Sequence, residues 1–283
     1  MKFRLALAQI DPVLGDMQAN VGKHVAMADK AHSAGAHLVV FPELSLTGYS
    51  VKDMNWELAL NLARDTHVLA PLIEKGKTIS ILAGGIEEGQ SFGLYNAALF
   101  FEGGNVRSVH RKTYPPTYGM FEENRYFSSG TDVRALDSKH GRFGVLICED
   151  LWHLPLPYLL AQDGAGLIIT LVASPTRISG KAERPLIATV NAENHRTYAR
   201  LLSVFIAFCN RVGFEDGVNF WGGSEIVGPD GSCIASAKLF EEDMVIADID
   251  ENELRRARRL SRHFLDDNPE LVERELRRIR GKS

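Results

Sequence analysis

Arg142–Leu160 reads RFGVLICEDLWHLPLPYLL. An apolar strand, Arg142 to Ile147, stops at Cys148. Two acids follow, Glu149 and Asp150, and a helix is predicted over Leu154 to Gln162. A strand that runs into a helix across a tight turn is the building unit of α/β folds. Nucleophiles are often placed at such turns, where the side chain is exposed and backbone N–H groups can bind an oxyanion. A positive charge or a helix N-terminus close by would favour the thiolate, the reactive form.

Working outward, the same alternation of elements fills most of the chain. Phe3 to Gln9 alternates apolar and polar residues and reads as a strand. Met17 to Ser33 has helical spacing and stops near Gly35. His37 to Phe41 is a short buried strand cut off by Pro42. Thr78 to Ala83, Tyr95 to Phe101 and Val106 to His110 are predicted strands, separated by glycine turns at Gly84-Gly85 and Gly103-Gly104. Leu167 to Val172, Val204 to Cys209, Ser224 to Val227 and Met244 to Ile249 complete the strands, with a helix over Leu186 to Arg200. This pattern predicts one α/β domain over residues 1–251. From about Asn252 the composition shifts to ten Lys or Arg against six Asp or Glu. Asn268-Pro269 is a helix start followed by a thin apolar stripe, Leu271, Val272, Leu276 and Ile279. We read 252–283 as a helical C-terminal arm that contacts another subunit.

The composition excludes several classes. The chain has 283 residues, 45% hydrophobic and 24% charged, with a formal net charge of -4. That balance gives no overall reason to expect nucleic acid or membrane as a partner. The arginines at 255, 256, 258, 259 and 262 sit beside acids and few aromatics, which suits a solvated or subunit-contacting face better than a nucleic-acid site. No apolar run approaches the roughly 20 residues that span a bilayer. The start, MKFRLALAQI, is too short for the apolar region of a signal peptide and has no small-residue cleavage site. Cys148, Cys209 and Cys233 are odd in number and far apart, so a reducing, cytoplasmic setting is expected. Cys209, inside VFIAFCN, and Cys233 read as structural residues.

Two further constellations carry chemistry. In LVVFPELSLTGY, Glu43 lies just past a strand and a proline, enclosed by Phe41, Pro42, Leu44 and Leu46. A lone glutamate is usually solvated, but this apolar setting predicts partial burial, where a carboxylate makes a useful general base. In HRKTYPPTYGMFEENRYF, Lys112 follows a strand and precedes two prolines and several aromatics. The common fate of such a lysine is to snorkel at the surface; the aromatic loop equally suits a pocket. The histidines form no spaced metal-binding set, so neither metal nor cofactor is expected.

Taken together, Glu in FPELSLTGY, Lys in HRKTYPPTYGMFEENRYF and Cys in LICEDLW resemble the Glu–Lys–Cys triad of the nitrilase, or carbon–nitrogen hydrolase, superfamily. The resemblance continues through LVASPTRISGKAER and NRVGFEDGVNFWGGSEIVGPDG. The lysine loop is similar to that of the glutaminase domain of glutamine-dependent NAD synthetases. It implies an αββα sandwich that pairs into a homodimer or higher oligomer. It also implies a free-standing amidase, since no SGGxDS-type nucleotide loop is present. Carried over by position, Glu43 is the general base, Cys148 the nucleophile and Lys112 the oxyanion stabiliser, with Glu123 supporting the lysine. Tyr49, Tyr118, Phe121, Glu149 and Ser174 match positions around the substrate. Lys181 matches the cation that meets a substrate carboxylate, in a loop one residue longer than the family's. The expected reaction is hydrolysis of a small linear amide to acid and ammonia through a thioester. A nitrile or N-carbamoyl (ureido) substrate is the alternative, as is a non-catalytic binding protein on the same fold.

Overall fold

The computed structural model describes residues 1–176 and 184–281. Two six-stranded sheets face each other. In the first, β1 (Lys2–Gln9), β2 (Leu38–Val40) and β3 (Ser80–Glu88) are parallel. They are extended by antiparallel β4 (Leu94–Glu102) and β5 (Asn105–Arg111) on one side. In the second, β6 (Leu136–Ser138) pairs with β7 (Gly141–Ile147), which runs parallel to β8 (Leu167–Val172). A two-residue β9 (Pro175–Thr176) precedes β10 (Phe205–Asn210), which joins the second sheet parallel to β8. β9 pairs instead with a hairpin, β11 (Val212–Glu215) and β12 (Val218–Trp221). β13 (Glu225–Val227) and β14 (Cys233–Ser236) finish the second sheet, and β15 (Asp243–Asp250) returns to pair with β1.

The alternation of side chains explains the layering. Phe3, Leu5 and Leu7 of β1 point inward with Leu38, Val40, Leu82 and Phe100. They meet Phe143, Val145, Ile147, Leu167, Ile169, Leu171, Phe205 and Ala207 from the second sheet. The opposite faces are equally apolar. Ala6, Ala8, Val39, Ile81 and Leu99 pack under α1 (Met17–Ser33) and α2 (Ala70–Lys75). After a single-turn α3 (Glu123–Tyr126), α4 (Pro155–Gln162) and α5 (Leu186–Leu202) cover Leu146, Ile168 and Ile206. The chain is thus an αββα sandwich. Strands buried on both faces read as continuous apolar runs, and each fully buried aliphatic or aromatic side chain contributes about 1.5–3 kcal/mol.

Helix boundaries follow local chemistry. Asp16 caps α1 by accepting the Ala19 N–H at 2.9 Å. α6 (Glu251–Leu260) starts on an Asp250 cap and buries Leu254 in the core between the sheets. α7 (Pro269–Arg280) is capped by Asn268, as the sequence predicts, and has no buried residue. Among the described residues, no helix is long and apolar enough to cross a membrane.

One predicted turn is corrected. Gly84 and Gly85 lie inside β3, not between strands. A Cβ on Gly84 would stand 2.4 Å from Leu44 N and 2.5 Å from Pro42 O. The glycine lets the backbone after β2 lie directly on the sheet, which is how Glu43 is held. We therefore expect Gly84→Ala to cost about 1–3 kcal/mol, the range for overpacking. Gly22→Ala, in α1 with nothing within 4 Å, should instead add up to about 1 kcal/mol from helix propensity. Urea midpoints of the two variants check this; equal effects would refute the close-packing account.

Candidate active site

All the parallel strands and β5 end on one edge of the sandwich, the usual place for a site in an α/β fold. Glu43 follows β2, Lys112 follows β5, Cys148 follows β7, and Ala173-Ser174 follow β8. The Lys112 ammonium is fully buried and donates to Glu43 Oε1 at 2.7 Å and to Glu123 Oε1 at 2.8 Å. Asn96, on β4, donates to Glu43 Oε1 at 2.7 Å and reaches Glu123 Oε2 at 3.5 Å. The other Glu43 oxygen accepts the Ala173 N–H at 2.8 Å. Tyr49 donates its hydroxyl to Glu123 Oε1 at 2.5 Å.

The electrostatics of this cluster are set by burial and by sharing. Burial pushes the Lys112 pKa down, but Glu123 and Glu43 more than reverse that and hold it well above the usual value. The lysine is therefore an ammonium at neutral pH. Burial pushes the Glu123 carboxyl up, with Lys112 pulling it back and Glu43 pushing it further. Burial, then the Glu123 and Glu43 charges, keep Tyr49 a neutral donor.

Cys148 sits at the strand end with φ 47°, a left-handed conformation that costs a non-glycine residue strain. A 3-10 turn, Cys148–Trp152, lies between it and α4. Burial and then the negative Glu43 raise the thiol's pKa well above its ordinary value, and Lys112 only partly offsets them. The resting thiol is thus protonated: the nearby positive charge of Lys112 does not outweigh burial and Glu43. Among the charges around it, that of the Glu43 carboxylate weighs most on the thiol.

The two loops that bear Lys112 and Cys148 are tied through Asp150, which is fully buried. Its Oδ1 accepts the N–H groups of Thr113 (3.0 Å) and Tyr114 (2.9 Å). Its Oδ2 accepts the Ile147 N–H at 3.1 Å and faces His110 Nε2 at 3.4 Å. A second brace comes from Glu215, which accepts the Tyr49 and Ser50 N–H groups and pairs with fully buried Arg211 at 2.5 Å.

Of the remaining predicted residues, Phe121 lies edge-on to both Tyr49 and Tyr118, at 6.5 and 5.6 Å. Tyr118 donates to Glu149 Oε2 at 2.7 Å and is more than half exposed at the mouth of the site. Ser174 accepts the Trp221 indole N–H at 3.0 Å and lines a small cavity with Cys148. Lys181 lies outside the described residues. The sequence reading missed Asn96, Asp150 and Glu215, and also Asn191 and Asn194 of α5, which line the Cys148 cavity. Asn96 had a signal, a lone amide in the apolar strand LYNAALFF. Among the described residues, no group of three or more His, Cys, Asp or Glu could hold a metal.

An αββα sandwich with this edge is the architecture of the carbon–nitrogen hydrolases, and residues 4–259 match that family. The chain belongs to it, within the nitrilase superfamily. Among individual proteins, it is 33% identical over 256 residues to the glutamine-dependent NAD(+) synthetase of Thermotoga maritima, covering 89% of this chain and 43% of that one. The structure of the Acinetobacter baumannii glutamine-dependent NAD+ synthetase superposes with TM-score 0.81 at 30% identity, over 90% of this chain and 47% of that chain. A carbon-nitrogen hydrolase from Helicobacter pylori G27 shares the fold over 98% and 99% of the two chains, with TM-score 0.86 and 22% identity. The chain spans less than half the length of the synthetases it matches.

The raised thiol pKa gives a stability signature. Above the ordinary thiol pKa, the unfolded chain loses the Cys148 proton while the folded chain keeps it. Stability should therefore be intact below that pKa and fall as pH rises past it. Relative to Cys148→Ala, wild type should lose about 1.4 kcal/mol per pH unit in this alkaline window. Parallel stability–pH curves for the two proteins would contradict the protonated resting thiol.

Proposed function

We propose that the chain hydrolyses a small linear amide to a carboxylic acid and ammonia through a thioester on Cys148. The observation that carries this reading is the buried Glu43–Lys112–Glu123 cluster beside a half-buried thiol on a strained turn. A buried ion cluster is poor value as a source of stability, because desolvation offsets most of the attraction. Its presence in a cleft beside a nucleophile is better explained by chemistry.

The proposed steps use these groups in turn. Glu43 accepts the thiol proton as Sγ attacks the amide carbon, so no thiolate need accumulate. The oxyanion that forms is stabilised by the Lys112 ammonium, together with a backbone N–H of the Cys148 turn. Glu123 and Asn96 fix the ammonium and the base relative to each other. Glu43, now protonated, gives its proton to the departing nitrogen, and ammonia leaves. Water enters, Glu43 takes one of its protons, and the resulting hydroxide cleaves the thioester to acid and free thiol.

The aromatic walls at Tyr49, Tyr118 and Phe121 favour a short, narrow substrate. Similarity to glutamine-dependent synthetases supports an ω-amide of the glutamine type, with Lys181 as the candidate contact for its carboxylate. A panel of linear amides, ureido acids and nitriles, read by ammonia release and intact protein mass, tests the proposal. We expect one ammonia per acid formed from amides and a transient acyl adduct on Cys148. Cys148→Ala should lower turnover at least about a thousand-fold with the fold retained. Ammonia release at wild-type rate in that variant would end the assignment.

Glu123 is proposed to act through Lys112, so its effect should depend on the lysine. Glu123→Gln alone should lower kcat, whereas adding it to Lys112→Ala should change kcat little further. Losses that simply multiply would show that Glu123 works by another route.

A further inference from the structure

At the end of the sandwich opposite Cys148, α6 crosses the starts of β7 and β8 and leaves a cavity of about 460 Å³. Its walls carry Arg142, Arg255, Arg258 and Arg259 and one acid, Glu251, with Met1, Leu254 and Leu265 as the apolar part. The charges there are unevenly matched. Arg142 is paired with Asp137 and Asp163 at 3.1 and 2.6 Å. Arg255 is 4.0 Å from Glu251, which is itself taken by the Met1 backbone nitrogen. Arg258 and Arg259 have no ion-pair partner among the described residues. The Arg258 guanidinium lies over the Phe264 ring at 4.9 Å, and its Nε is buried without a hydrogen-bond partner.

A buried guanidinium N–H without an acceptor is costly, and a fork of this kind suits a planar or tetrahedral oxyanion. Arg258 is held in place by Phe264, so it loses little further freedom on binding. Arg259 is adjacent on the same last turn of α6 and exposed to the cavity. Arg256, on the same helix, is paired with Glu253 at 3.1 Å and does not line the cavity. The cavity therefore differs from the arm's general basicity, in a chain whose net charge is -4.

We propose that this cavity is a binding site for a small organic phosphate. Arg258 and Arg259 grip the phosphoryl oxygens, and the carbon skeleton lies against Leu254 and Leu265. The site is separate from the thiol: β7 spans the seven residues between Gly141 and Ile147, roughly 20 Å of strand. It does not depend on the hydrolase reading.

Calorimetric titration of the full chain with inorganic phosphate and phenyl phosphate tests it. We expect phenyl phosphate to bind with a dissociation constant below about 1 mM and inorganic phosphate more weakly, for want of the apolar contact. Arg259→Ala, at an exposed position that cannot upset the fold, should weaken phenyl phosphate at least ten-fold. Arg258→Lys, which keeps the charge but removes the fork, should do the same, and Arg256→Ala should change nothing. No binding at millimolar ligand would overturn the proposal. So would an equal loss in Arg256→Ala, or tighter binding of a short RNA that Arg256→Ala weakens as much as Arg259→Ala; either result would make the arm a diffuse basic surface.

Discussion

A single ammonium, that of Lys112, sits between two carboxylates and is fully shielded from the surface. Each partner is tolerable in the interior only because of the others. Without the lysine, Glu43 and Glu123 would be two like charges sharing one pocket; without them, burial would pull the lysine's pKa down unopposed. The three come from different parts of the chain, after β2, after β5 and from α3, so the cluster forms only when the first sheet and its loops are in place. The thiol of Cys148, delivered by the second sheet, then meets a field that is already fixed. In the proposed reaction that preorganisation is what Lys112 offers a developing oxyanion, because no solvent must reorient.

How much of this was legible in the sequence depended on whether local or distant partners set the outcome. The doubly apolar runs at Leu38 to Val40, Leu167 to Val172 and Phe205 to Asn210 read correctly, because burial on both faces leaves a continuous signal. The helix over Met17 to Ser33 and the Asn268 cap were equally plain, since caps and helical spacing are local. Short polar strands such as β6, β9 and β14 carry no such pattern and were not anticipated. Gly84 misled for a related reason. Glycine pairs most often mark turns, and nothing within β3 reports that the Pro42–Leu44 backbone presses on it.

The site divides the same way. Glu43, Lys112 and Cys148 stood out through their order and setting, and the family membership agrees with that reading at the level of carbon–nitrogen hydrolases. The residues that hold them were hidden. Asp150 looked like one of two acids after a cysteine, yet it accepts three backbone N–H groups from two loops. Glu215 and Asn96 are similar cases: their partners are distant in sequence, so spacing says nothing about them. The raised pKa of the thiol is set by burial and by Glu43, and neither depends on neighbours along the chain.

Asp150 has a mechanical consequence. Because one carboxylate clasps the backbone on either side, the turn that carries Cys148 and the loop that carries Lys112 share a single joint. The two segments are then set against each other by the scaffold, as in a vice whose jaws were cast in one piece. Variation can leave that joint alone and work on the surfaces around it: Tyr118 and Phe121 on one side, Asn191 and Asn194 of α5 on the other. The cleft can in this way change shape while the clasp beneath it stays the same.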